Sequence, residues 1–441
     1  MPGASDKARF YLEQYVPELQ EYERKEIFTA EEIKAIAAKR SDFEHTINAR
    51  GSKPSDYSKY ATYEMTLDKL CKKRCKRLGV KSTTFSGQRT VFFILDRGTK
   101  KFRGDMGLWM QYIQFCQREK ANKKLSKVFT SVMRLKPREW SLWVLAARHY
   151  AEALGDMNTA RSYMQRGLRF CKDERKLWLE YMKLEMAYLA KLAARKRILG
   201  LDEEMKDANA EQPEEDDNMM ALTTVNAEDI DADAQKGIEE VDDDALKRLA
   251  AAPALNGAIP VAIFDAAMKQ FSNDPAFAED EFDLCATFDK VPSTRTILQH
   301  ILHHLQKHAS QSAETVICEA KMPLCGISVD SEEFPAALGY GLSTIKSGQA
   351  QISPPVLPKL AGGAVAMLMP YLRVRDEVDE EVVTVLEASV KRYLKMLAQA
   401  GNESLRSRKD PVVALTDKLR TKGLEADAKL VETYASTLQA R

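Results

Sequence analysis

The chain has 441 residues, 44% of them hydrophobic and 30% charged, with only 20 glycines and 16 prolines. That supplies apolar material for two or three cores and few breakers, which excludes a collagen-like or low-complexity chain and favours helices over short strands. A net charge of +1 conceals an asymmetry: residues 1–200 hold 42 Lys+Arg against 23 Asp+Glu, the remainder 24 against 42.

Seven cysteines, an odd number with no CxxC pair, fit free thiols in a reducing compartment better than a disulfide framework or zinc ribbon. The start, MPGASDKARF, has no apolar signal core, and no uninterrupted apolar run of about 18 residues occurs. The expectation is a soluble intracellular protein.

The first predicted helix runs from about residue 5 to 26, kinked or split by Pro17. Phe10, Tyr11, Tyr15, Leu19 and Tyr22 recur along it at helical spacing. A second helix has an explicit start. Thr29 and Glu32 have the spacing of a capping box, with Phe28 and Ile33 as a hydrophobic staple. Ile33, Ile36, Phe43 and Ile47 supply its buried stripe, and residues 50–56 read as a loop.

From about 56 to 201 the chain repeats itself. Trp109, Trp143 and Trp178 are 34 and 35 residues apart, in WMQYIQF, WVLAARHY and WLEYMKLE, each opening a helix. Tyr57, Tyr60 and Glu64 open an earlier helix of the same kind. Second helices follow at 88–102, 125–135 and 160–170, with a tight turn at Gly155–Asp156. A period near 34 with two helices per unit defines an all-α solenoid of helical hairpins, each leaning on the next. Trp109, Tyr112, Trp143, Tyr163, Trp178, Tyr181, Gly98 and Gly167 are then repeat-core positions.

Residues 202–252 are acidic and lack aromatics, the composition of a solvated linker, with an acidic lure for another subunit as the functional alternative. Helical segments resume at 259–271, 279–289 and 294–308, without the tryptophan, as degenerate repeats. Prolines 323, 335, 354, 355 and 358 predict shorter helices and loops over 323–363. Two closing helices are expected, 377–400 and 410–440. Val382, Val385, Leu386, Val390, Tyr393, Leu394 and Leu397 form one apolar stripe on the first. The resulting organisation is a leader (1–54), repeats (55–201), acidic linker (202–252), degenerate repeats (253–322) and a carboxy-terminal helical region (323–441).

Lys69, Lys72, Lys73, Arg74, Lys76, Arg77 and Lys81 form the densest basic cluster, interrupted by Leu70, Cys71, Cys75 and Leu78 on the expected buried side. Lys120, Lys123 and Lys124, with Arg118 and Lys127, form a second group. Both are candidate contacts for RNA or an acidic partner, against the plain alternative of solvated helix ends. His300, His303, His304 and His308 share one helical face, a spacing that zinc can use; surface or interface histidines are the ordinary reading. Cys71 and Cys75 read as packing. No Walker loop, GxSxG elbow, HExxH or dinucleotide fingerprint occurs, so no catalytic residue, metal or cofactor is expected.

Trp178, Tyr181 and Glu185, with Arg161, Tyr163, Arg166 and Gly167 and an echo at Arg97 and Gly98, resemble half-a-TPR (HAT) repeats. The run from Pro17 to Tyr22, then IFTAEEIKAIAAKRSDFEHTI and SDYSKYATYEMTLDKLCKKR, is similar to the U3 small nucleolar RNA-associated protein 6 family. That resemblance implies a non-enzymatic scaffold subunit of the UTP-B complex in the small-subunit processome. It would act in U3-dependent processing that releases 18S rRNA, in the nucleolus. It implies WD40 β-propeller partners, notably the protein 18 subunit, and contact, direct or relayed, with the pre-rRNA 5′ leader and the U3 particle. A HAT scaffold of the spliceosome or polyadenylation machinery, and a TPR-like peptide adaptor, are the alternatives.

Overall fold

A computed structural model describes residues 4–80, 87–198, 257–403 and 411–439. Among these residues the fold is all-α, built of consecutive packed helix pairs without a strand. The chain divides into two compact units, Met1–Leu142 and Trp143–Arg441. The expected linker at 202–252 lies outside the described residues.

In the amino-terminal unit the helices are α1 (Ala4–Glu13), α2 (Val16–Arg24), α3 (Ala30–Asn48), α4 (Pro54–Leu78), α5 (Gly87–Lys101), α6 (Met106–Arg118) and α7 (Asn122–Leu135). Pro17 splits the leader: it sits in the first turn of α2, where its missing N–H costs nothing. The capping box of α3 forms, with Thr29 Oγ1 accepting the Glu32 N–H and the Glu32 carboxylate accepting the Thr29 N–H. Phe28 is buried and Ile33 packs against its cluster. The expected loop is shorter than its composition suggested. Pro54 starts α4, and Asp56 accepts the Lys53 N–H at 2.7 Å, closing the first turn.

The second unit opens within α8 (Trp140–Ala153), continued by α9 (Met157–Phe170), α10 (Arg175–Ile198), α11 (Ala258–Gln270), α12 (Pro275–Ala286), α13 (Thr294–Ala309) and α14 (Ala313–Lys321). Then come α15 (Phe334–Gln351), α16 (Leu357–Arg373), α17 (Glu380–Glu403), α18 (Pro411–Thr421) and α19 (Glu425–Gln439). The repeat glycines are close-approach positions. A Cβ at Gly167 would come within 2.9 Å of Trp143 Cγ, and one at Gly98 within 3.0 Å of Tyr57 Cδ1.

Three expectations for this unit are corrected. Residues 323–363 are not a run of short helices: α15 has 18 residues and α16 has 17. Pro335 and Pro358 occupy first turns, where proline suits a helix. The single closing helix expected over 410–440 is two, because Gly423 adopts φ 80° and turns the chain. Val385 leaves the α17 stripe and is 49% exposed, whereas Leu386, Val390, Tyr393, Leu394 and Leu397 are buried.

Pro354–Arg373 is long and apolar enough to cross a membrane by length and composition, although Lys359 interrupts its apolar run. Here Leu360, Ala364, Leu368 and Leu372 bury it at the centre of the carboxy-terminal core, against Leu386 and Val390 of α17.

Candidate interaction surface of the amino-terminal unit

The surface is set by what lies beneath it. Arg40 of α3 is 1% exposed and is held from two sides. Its Nε and Nη2 donate to the two oxygens of Glu64 on α4 at 2.8 and 2.9 Å, and Nη1 donates to Glu18 of α2 at 3.2 Å. Tyr22 donates its hydroxyl to Glu18, and the Tyr15 ring lies 4.5 Å from the guanidinium. Burial pulls the Arg40 pKa down, but Glu64 and Glu18 outweigh it and hold the pKa well above its ordinary value. A buried guanidinium with two carboxylates fixes three helices in one register.

Glu44, fully buried, accepts from Arg97 of α5 at 2.9 Å and from Asn48 at 3.2 Å. Arg74 donates to both oxygens of Glu32 at 2.6 and 2.7 Å, with its guanidinium over Phe28. Its hydrogen bond holds the Glu32 carboxyl down to about 2. Arg74 therefore belongs to the α3–α4 clamp and is removed from the free cations of the basic cluster.

The rest of that cluster is sorted by the same clamp. Cys71 and Cys75 face inward, and burial pushes the Cys71 thiol up to about 12, the behaviour of a packed, inert thiol. Leu70 and Leu78 are 41% and 49% exposed, against the expectation that they line the buried side. Lys69, Lys72, Lys73, Lys76 and Arg77 are exposed on α4; Lys72 pairs with Asp68 at 2.6 Å. Lys81 lies outside the described residues. The second group sits at the α6–α7 turn. Lys120, Lys123 and Lys124 are exposed, Lys120 has φ 52°, and the Lys124 ammonium lies 4.0 Å from the Phe92 ring centre.

The repeat-core positions are placed as follows. Trp109, Trp143, Trp178, Tyr112 and Tyr181 are buried. The Trp109 and Trp178 indoles donate to the carbonyls of Arg103 and Lys172, each six residues earlier, at 3.0 and 2.9 Å. Tyr163 is half-buried between Trp143 and Tyr150.

The charged clamps were missed from sequence although a signal existed. Arg161 of α9 donates to both oxygens of Glu185 on α10 at 2.8 Å, as Arg40 does to Glu64. Both pairs are separated by 24 residues. Both glutamates end the same pattern, Tyr57–Tyr60–Glu64 and Trp178–Tyr181–Glu185. In the two hairpins between them the equivalent positions are Phe92 and Cys116, and Ser126 and Tyr150. The Arg–Glu pair is thus carried by some repeats and not by others.

The histidines of α13 do not converge. His300 meets Asp265 at 2.8 Å, while His304 packs against His308 and Phe264. Among the described residues no three His, Cys, Asp or Glu side chains could hold a metal ion.

Tandem hairpins, aromatic seams and buried Arg–Glu clamps define an all-α helical-repeat protein with a cationic α4 face. Residues 12–93, which contain the Arg40 clamp, match the family model of U3 small nucleolar RNA-associated protein 6. The chain is 34% identical over 224 residues to U3 small nucleolar RNA-associated protein 6 of Schizosaccharomyces pombe, covering 50% of this chain and 46% of that protein. It is 31% identical over 189 residues to the human homolog, covering 42% and 32%, and 29% identical to that of Dictyostelium discoideum over the same length. About half of the chain is therefore similar in sequence to these U3 small nucleolar RNA-associated proteins, with the family model matching residues 12–93. The chain spans less than half the length of these relatives.

Proposed function

We propose that the protein is a non-enzymatic scaffold subunit of the UTP-B complex in the small-subunit processome. In this role it supports U3-dependent pre-rRNA processing and 18S rRNA maturation in the nucleolus. The observation that carries the reading is the coincidence of the family match at 12–93 with the Arg40–Glu18–Glu64 clamp. The Arg40 clamp locks α2, α3 and α4 within the matched segment by buried charge, giving a rigid base from which α4 presents its lysines. The helical hairpins serve as HAT repeats. Residues 1–54 act as the leader, 55–201 and 253–322 as repeat segments, 202–252 as an acidic linker and 323–441 as the carboxy-terminal helical region.

Long stacked hairpins bury their aromatic seams and leave broad polar faces, which suits a subunit that holds several macromolecules. The proposed partners are WD40 β-propeller subunits, notably the protein 18 subunit, together with the pre-rRNA 5′ leader and the U3 particle. The test is affinity purification of the full chain from cells, reading proteins and RNA together. Recovery of propeller subunits with U3 RNA is expected. Recovery of spliceosomal or polyadenylation factors without U3 RNA would reject this reading.

A further inference from the structure

A second face of the amino-terminal unit carries exposed rings among cations. Phe10 of α1 is 59% exposed and Phe93 of α5 is 38% exposed. Tyr11 joins them: its ring centre lies 5.5 Å from Phe10 and 5.4 Å from Phe93. The three rings form a contiguous strip across two helices. Arg97 lies 4.3 Å from the Tyr11 centre and 4.9 Å from that of Phe93, anchored from below by Glu44. The strip is thereby held in place.

Cations flank the rings. Lys7 stands one turn before Phe10 and Tyr11, and Arg89 one turn before Phe93. Both are exposed and make no ion pair among the described residues. Lys101 sits close enough to Arg97 and Lys7 for their charges to depress its pKa further, after burial. The nearby acids Glu13 and Asp96 are engaged by Arg9 and Lys100.

From this placement we propose that the Phe10–Tyr11–Phe93 strip is a stacking platform for single-stranded RNA. Rings exposed on convex helices reach only bases that are already unstacked, and Lys7 and Arg89 lie where the flanking phosphates would run. The strip lacks the contiguous aliphatic surface of a protein groove; Val16 is the one exposed aliphatic residue on α1 or α2 among the large hydrophobics. The inference deepens the RNA-processing reading and rests on it, but uses a surface distinct from the α4 lysines.

The test is fluorescence anisotropy of the purified full chain with a short labelled oligouridine and with a blunt RNA duplex. Phe10→Ala/Phe93→Ala should weaken single-strand binding by about 10-fold or more, the loss of one or two stacked bases, with duplex binding unchanged. Phe10→Leu/Phe93→Leu keeps apolar bulk without a ring face, so it should show the same loss with an unchanged melting curve. Equal affinity of wild type and the leucine variant for oligouridine would overturn the platform. So would equal losses on both RNAs, or loss of a co-purifying protein with oligouridine affinity intact. If the variants bind oligouridine normally and still co-purify U3 RNA, the platform falls and the scaffold reading stands. Absence of U3 RNA from the wild-type purification sinks the scaffold reading instead.

Discussion

At the scale of single residues, two fully buried ionisable groups behave in opposite ways. Arg40 has two carboxylate partners, so its burial is compensated; removing it would strand Glu18 and Glu64 in the core. Arg40→Ala should therefore destabilise the amino-terminal unit by about 3–5 kcal/mol, read as a lowered urea midpoint. A loss below about 1 kcal/mol would show that the carboxylates reach water and that the clamp is not a buried one. Glu281 of α12 is the reverse case. It is fully buried, and among the described residues neither carboxylate oxygen has a hydrogen-bond partner. Burial pushes its pKa up to about 8 from an ordinary 4.5. The folded state thus binds a proton that the unfolded chain releases. The associated stability is full below about pH 4.5 and is lost as pH rises through about 8. Glu281→Gln keeps the shape without the titration. Its melting temperature should exceed that of the wild type at pH 8 and match it near pH 4. A constant offset between the two proteins across that range would rule out titration of Glu281.

At the scale of elements, the repeat rests on aromatic positions that face glycine or a loop carbonyl. Trp178 fills the start of α10, lies edge-on to Phe271 and donates to Lys172. Trp178→Ala should cost about 3–5 kcal/mol in denaturant unfolding, the range for emptying a large core site. A melting curve superimposable on that of the wild type would remove Trp178 from the core. The tryptophan period, the α3 capping box and the Arg161, Gly167 and Glu185 pattern were legible because each is a local spacing tied to helix geometry. The prolines misled because composition cannot tell Pro335 in a first turn from proline in a helix interior. Gly423 was overlooked because one left-handed residue leaves little mark on periodicity. The basic cluster was legible as a list, but Arg74 and Glu32 lie 42 residues apart and their pairing depends on how α3 packs on α4. The exposure of Phe10 was hidden for a similar reason: its spacing matches that of buried Tyr15 and Tyr22, and only the packing of α1 on α3 turns it outward.

At the scale of the whole molecule, the excess of base over acid in residues 1–200 has a structural counterpart in α4. Five of its cations, Lys69, Lys72, Lys73, Lys76 and Arg77, are exposed, and among the described residues only Lys72 pairs with an acid. Cations that merely solvate a helix end would contribute nothing to salt dependence. Cations that meet phosphate release counterions, about 0.7 in the log–log slope per contact on a single strand. The two cases separate in one variant. Lys72→Glu, Lys73→Glu, Lys76→Glu and Arg77→Glu together should weaken crosslinking to ribosomal RNA. The same change should make the salt dependence of RNA binding shallower by up to about 3 in slope. Reversal at Lys72 also sets Glu beside Asp68 on one helix face, which costs a few tenths of a kcal/mol. A triple variant that spares Lys72 therefore separates a fold effect from a contact effect. If crosslinking and slope both stay at wild-type values in the two variants, α4 is a solvated surface. The proposed RNA contact of the amino-terminal unit would then rest on the ring strip on α1 and α5 or on the α6–α7 turn, where Lys120, Lys123 and Lys124 remain exposed.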